Sequence, residues 1–223
     1  MTKKLFVQAI SKFVTGLVLI SLLLFLPAGT ICYWNGWLLI GILFIPMLAA
    51  GIVMMLRNPE LLEKRLKAKE SEGEQKTVIV LSGVMFFAAF VVAGLNYRFG
   101  WIVMPRWTVI AAAIVFLAAY LMYAEVLREN TYLSRTVEIQ KHQKVIDTGF
   151  YGIVRHPMYS ATVFLFLSMG LVLGSPISFA ILICYLPIIA KRIRNEEEVL
   201  AQGLEGYAEY RDKVKYKVIP LIW

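Results

Sequence analysis

Between Lys12 and Arg57 the chain runs for 44 residues without a charged side chain. A hydrocarbon core about 30 Å thick is crossed by roughly 20 helical residues, so this run holds two crossings. Tyr33-Trp34-Asn35-Gly36, a polar and aromatic cluster preceded by Pro27 and Gly29, divides them as a membrane interface does. Further uncharged runs are Thr77 to Tyr97 (21 residues), Trp107 to Ala124 (18) and Pro157 to Ala190 (34). Gly174-Ser175-Pro176 is a turn signal that splits the last run into arms of about 17 and 14 residues, both short for full crossings. The expected architecture is an all-α, polytopic membrane helix bundle of four firm spans plus a C-terminal helical hairpin, tilted or partly re-entrant. The stretch from Phe13 to Ile31 is longer than the apolar part of a signal peptide and is read as a membrane helix despite its Lys3-Lys4 start.

With 59% hydrophobic and 17% charged residues, the composition excludes an ordinary soluble domain. The net charge of +8 punctuates apolar runs and forms no polar domain that can cradle a duplex, so nucleic acid is not an expected partner. Cys32 and Cys184 show no metal-ligand or disulfide spacing, and no Asp/Glu cluster has metal-ligand spacing, so no metal is expected. If the N-terminus is cytoplasmic, segments 1–12, 57–76, 125–156 and 191–223 carry 21 of the 23 Lys and Arg, which puts both termini inside. Trp34, Trp37, Trp101 and Trp107 then mark the outer interface.

The polar segments divide the chain into N-terminal membrane helices, 1–128, and a region of different character, 129–223. Within the first, Asn58 caps and Pro59 opens a short basic surface helix over 58–70, suited to anionic headgroups or to a gate beside a substrate entrance. The loop from Glu129 to Arg155 is long for a compact membrane protein and carries Thr131, Ser134, Thr136, Gln140, His142 and Gln143 before Gly149-Phe150-Tyr151-Gly152. Its glycines permit a tight turn or a close approach to a ligand, and Val145-Ile146 suits a small strand or a pocket wall. Pro157 fits a first helical position, so Arg155 and His156 stand at a helix start that attracts anions and can grip a carboxylate, with Tyr151 and Tyr159 nearby. The plainer roles are a snorkelling arginine, a capping histidine and interface tyrosines. In the exit helix, Arg192 and Glu196 share one face and so do Arg194 and Glu198. Exposed pairs of that order contribute only a few tenths of a kcal/mol, so a cleft for a ligand carrying both charges is the alternative.

The pattern Gly149-x-Tyr151-x-x-x-Arg155-His156-Pro157-x-Tyr159, a hairpin, Arg192-x-x-x-Glu196-Glu197-x-x-Leu200, Tyr207-x-x-Tyr210 and Ile219-Pro220 resembles the isoprenylcysteine carboxyl methyltransferase family of integral membrane enzymes. The resemblance covers residues 130 to 223 in detail and, before that, only the helix count and Asn58-Pro59-Glu60-Leu61-Leu62. It implies a catalytic, cytoplasmic, cofactor-binding C-terminal region for S-adenosylmethionine. By position, Gln143, Lys144, Val145, Ile146, Tyr151, His156, Pro157, Met158, Tyr159 and Glu196 would bind the cofactor, joined by Arg155 from the helix start. Glu197 competes with Glu196, because three glutamates run together. The family's substrate-side arginine falls on Arg192, the expected catalytic and substrate-binding residue.

The implied activity is methyl transfer at the cytoplasmic membrane interface to a lipophilic acceptor, a small molecule or a prenylated carboxylate within the bilayer. A carboxylate is ionised at neutral pH and needs no general base, which agrees with a chain of two histidines and no Ser/His or Cys/His arrangement. A glycine-rich dinucleotide loop after a strand is missing, so the cofactor site must be built from membrane helices and their ends. Alternatives are an NADPH-dependent reductase of the sterol reductase type, methylation of a small thiol or lipid amine, a transporter, and a scaffold. The four firm spans lack interior ionisable groups, which disfavours a transporter.

Overall fold

The computed structural model describes residues 3–66, 73–130, 132, 133, 139 and 143–223. Thr131, Ser134, Thr136, Gln140, His142 and the end of the expected surface helix beyond Leu66 lie outside the described residues. Four long helices correspond to the four expected spans: α1 (Lys3–Ala28), α2 (Trp34–Arg57), α4 (Gly73–Phe99) and α5 (Arg106–Glu129). Each carries a segment long and apolar enough to cross a bilayer. Large apolar side chains such as Val18, Leu26, Ile45, Val84, Ile114 and Leu121 stay exposed on them, as befits helices solvated by lipid. Between α2 and α4, α3 (Pro59–Leu66) starts where expected, with the Asn58 side chain accepting from the Leu61 amide at 3.1 Å.

The hairpin is α6 (Pro157–Val172), α7 (Pro176–Ile183) and α8 (Tyr185–Gly203). Its two arms are unequal. The first has 16 residues, whereas the second runs from Pro176 to Gly203 and is a fifth segment long enough to span. The second arm is longer than its roughly 14 uncharged residues because it runs without a break into the expected exit helix, through Lys191-Arg192 into the charged stretch. Its interruption at Cys184 follows from Pro187, which lacks an N–H and whose ring opposes the carbonyl four residues earlier. The arms pack closely at Gly170, where an added Cβ would fall 2.6 Å from the Phe179 Cα.

Three interhelical turns meet at one end of the bundle. Tyr33 donates to the Leu173 carbonyl at 2.6 Å, Asn35 to Val172 at 2.8 Å and Tyr97 to Cys32 at 3.3 Å, which satisfies backbone groups that lipid cannot. The opposite end collects α3, the end of α5, the start of α6, the end of α8 and α9 (Tyr207–Lys213). The main core joins both halves, from Leu24 and Leu39 through Phe116 to Leu182 and Ile193, while Tyr207, Tyr210 and Val214 form a satellite core at this second end.

Candidate active site

Residues 149–152 form one tight helical turn after the loop. Gly149 sits at φ +49°, and the Glu129 carboxylate occupies the space where a side chain would project. Thr148 donates to that carboxylate at 2.9 Å, which docks the turn on the end of α5. Only glycine fits both the backbone and the contact. Tyr151 is thereby buried and bracketed: Asn130 donates to its hydroxyl at 3.0 Å, and Tyr210 donates to its carbonyl at 2.8 Å. Burial, the largest influence on both phenols, pushes their titration up, so both remain neutral hydroxyls.

The helix-start reading expects Arg155 and His156 to grip a ligand's carboxylate; in the structure the carboxylate they hold is the protein's own Glu197. Arg155 Nε donates to Glu197 Oε1 at 2.8 Å, His156 Nε2 lies 3.2 Å from the same oxygen, and Lys217 Nζ is 2.6 Å from Oε2. Arg155 Nη1 also donates to the carbonyls of Val214 and Lys215, while the amides of 155 and 156 pair with the carbonyls of Tyr216 and Lys217. This cluster stitches the loop, α8 and the C-terminal tail together. His156 occupies the cap position of α6 with no side-chain cap bond, its ring being turned toward Glu197 instead.

On the adjoining face of α8, Arg192 Nε donates to the Tyr159 hydroxyl at 2.9 Å, and that hydroxyl donates to Glu196 Oε2 at 2.5 Å. One phenol therefore couples a cation to an anion across two helices. Arg192, Glu196, Val199 and Leu200 follow helical spacing and face a cleft of about 870 Å³, counted out to its open mouth. Among the described residues, no group of three or more His, Cys, Asp or Glu is arranged to hold a metal ion.

Residues 109–202 match the model of the isoprenylcysteine carboxyl methyltransferase family. Over this stretch, which is under half of the chain, the chain is similar to that family. The solved structure of a eukaryotic intramembrane Ras methyltransferase of this name superposes with a TM-score of 0.60 at 18% identity, covering 96% of this chain and 77% of that one. At such identity the superposition speaks for the fold alone. A Delta(14)-sterol reductase of Methylotuvimicrobium alcaliphilum is 23% identical over 135 residues, which is 54% of this chain and 32% of the reductase. The chain thus spans about a third of that relative's length. The five span-length helices and the shared fold make the chain a multi-pass membrane protein.

Of the residues that the family motif singles out, Gln143, Lys144, Val145, Ile146, Tyr151, Arg155, His156, Met158, Tyr159, Arg192 and Glu196 line the cleft. Pro157 and Glu197 do not. Pro157 is fully buried at the first position of α6, and the Glu197 carboxylate is taken up by Arg155, His156 and Lys217. Val145 packs in the satellite core as a wall residue, with no strand among the described residues. The cleft also takes in Asn130, Tyr132, Leu133, Leu204, Tyr207 and Tyr210, to which sequence reasoning assigned no role. The run 196, 199, 200 along one helix face signals part of this wall, whereas nothing in the spacing of Tyr207 and Tyr210 reveals that α9 folds back over it. From α3, the Arg65 guanidinium lies 5.5 Å over the Tyr123 ring and 4.0 Å from the Met158 sulfur, placing that helix beside the cleft.

Proposed function

We propose that the chain transfers the methyl group of S-adenosylmethionine to a lipophilic carboxylate, of the isoprenylcysteine type, at the cytoplasmic face of the membrane. The observation that carries this reading is the single wall in which Tyr159 joins Arg192 to Glu196. The cleft supplies what such a cofactor requires: an acidic group for its cationic half, and Val145, Leu200 and Leu204 as apolar surface for a flat heterocycle. When bound, S-adenosylmethionine supplies an electrophilic methyl on a sulfonium. Glu196 would hold the positive half of the cofactor. Arg192, fixed through Tyr159, would orient the acceptor carboxylate toward it. The carbon–oxygen bond forms as the carbon–sulfur bond breaks, with its electron pair leaving on sulfur, so no proton moves and no base is needed. The charge bias of Lys and Arg supports a cytoplasmic placement of this end and of both termini, with entry of the acceptor from the bilayer.

The sterol reductase similarity favours a second reading in which the cleft takes NADPH. Calorimetric titration of the purified protein with S-adenosylhomocysteine and with NADPH separates the two. The expected result is binding of the homocysteine nucleoside alone, weakened at least about tenfold in Glu196→Gln because a charge-assisted hydrogen bond is lost. Binding of NADPH alone would overturn the proposal.

A further inference from the structure

Three buried side-chain polar atoms have no hydrogen-bond partner among the described residues: Glu129 Oε2, Ser178 Oγ and the Tyr207 hydroxyl. Of these residues only Tyr207 belongs to the wall of the cleft. Tyr207 as a residue is only 4% exposed. A buried hydroxyl left unpaired is costly, and native structures keep few of them without a reason. The charged groups acting on Tyr207 are Glu197, Arg155 and Glu196. Glu197 is saturated by Arg155, His156 and Lys217, and Arg155 commits Nε and Nη1 inside the protein. Glu196 faces the cleft and suits an ammonium group. In an α-amino acid the ammonium and the carboxylate share one carbon, so a ligand whose ammonium meets Glu196 places its carboxylate close by, where a neutral O–H donor beside a guanidinium is the fitting partner.

We propose that the Tyr207 hydroxyl donates a hydrogen bond to the α-carboxylate of the methyl donor and so selects for the amino-acid half of that molecule. This inference rests on the cofactor reading above and assigns the group that reads one end of the cofactor. Tyr207 is a binding residue here and takes no part in the bond changes.

Tyr207→Phe keeps the ring and removes only the unpartnered hydroxyl, so the unliganded protein is expected to unfold at the same temperature or higher. Binding is to be measured on the wild-type protein and on Tyr207→Phe, with S-adenosylhomocysteine and with its decarboxylated analogue, S-adenosyl-3-thiopropylamine. Wild type is expected to prefer the carboxylate-bearing ligand by roughly tenfold to a hundredfold, the worth of a hydrogen bond to a charged group. Tyr207→Phe is expected to lose that preference while binding the decarboxylated analogue as wild type does. A preference retained in Tyr207→Phe, or an equal loss for both ligands, would overturn the assignment. Failure of the wild type to bind either nucleoside would instead remove the cofactor reading on which it rests.

Discussion

Arg192→Lys is expected to lower kcat/KM for methyl transfer at least about 100-fold, although the formal charge is conserved. Lysine has no counterpart of the Nε donor that reaches the Tyr159 hydroxyl at 2.9 Å, and no planar fork for a carboxylate. Two consequences combine. The acceptor loses its paired donors, and Tyr159 loses the partner that holds it against Glu196. A hydrogen bond to a charged group contributes about 1.5–3 kcal/mol, so one such loss at the transition state already lowers the rate by tenfold or more. The protein should still bind S-adenosylhomocysteine to within a few-fold, because Glu196 and the apolar wall remain. Steady-state kinetics beside a binding titration reads both values. Turnover equal to wild type in Arg192→Lys would remove Arg192 from the reaction.

Glu197→Ala is expected to have the largest effect on stability. Removing one partner of a buried ion pair costs about 3–5 kcal/mol, because the remaining charge stays desolvated. Here the change strands several groups at once: the Arg155 and Glu197 side chains are only 5% and 12% exposed, and Lys217, at 25%, faces the same carboxylate. Reversible denaturation in mixed detergent micelles should register the loss. Cofactor affinity should fall with it, since Arg155 and His156 form part of the cleft wall and Glu197 sets their positions. Glu197→Gln keeps an acceptor for Arg155 and is expected to lie between the two. A Glu197→Ala protein as stable as wild type would show that the cluster does not hold the loop to the tail.

The spans were legible in the sequence because lipid imposes a simple rule: helical segments of sufficient length without charge. The extent of the last arm was not legible by that rule, because charge marks departure from the hydrocarbon and α8 continues as helix beyond it to Gly203. Arg155 and His156 were recognisable as a carboxylate grip, yet a sequence does not say whether the carboxylate is a ligand's or the protein's own. Glu196 and Glu197 are equivalent as letters. As consecutive helical residues they differ by about 100° in direction, which sends one into the cleft and the other into the Arg155 cluster. The part played by α9 depends on contacts with residues some 60 positions earlier, such as Tyr210 with Tyr151, and no local periodicity encodes these.

The most direct test of the account is the fate of a labelled methyl group. Membranes holding the protein are supplied with methyl-labelled S-adenosylmethionine and an S-prenylated cysteine bearing a free carboxylate. Label is expected in the prenylated product, released by mild base as methanol, and nearly lost in Arg192→Lys. Label that enters a base-stable product, or no transfer while NADPH is consumed with a lipid substrate, would contradict carboxyl methylation in this cleft.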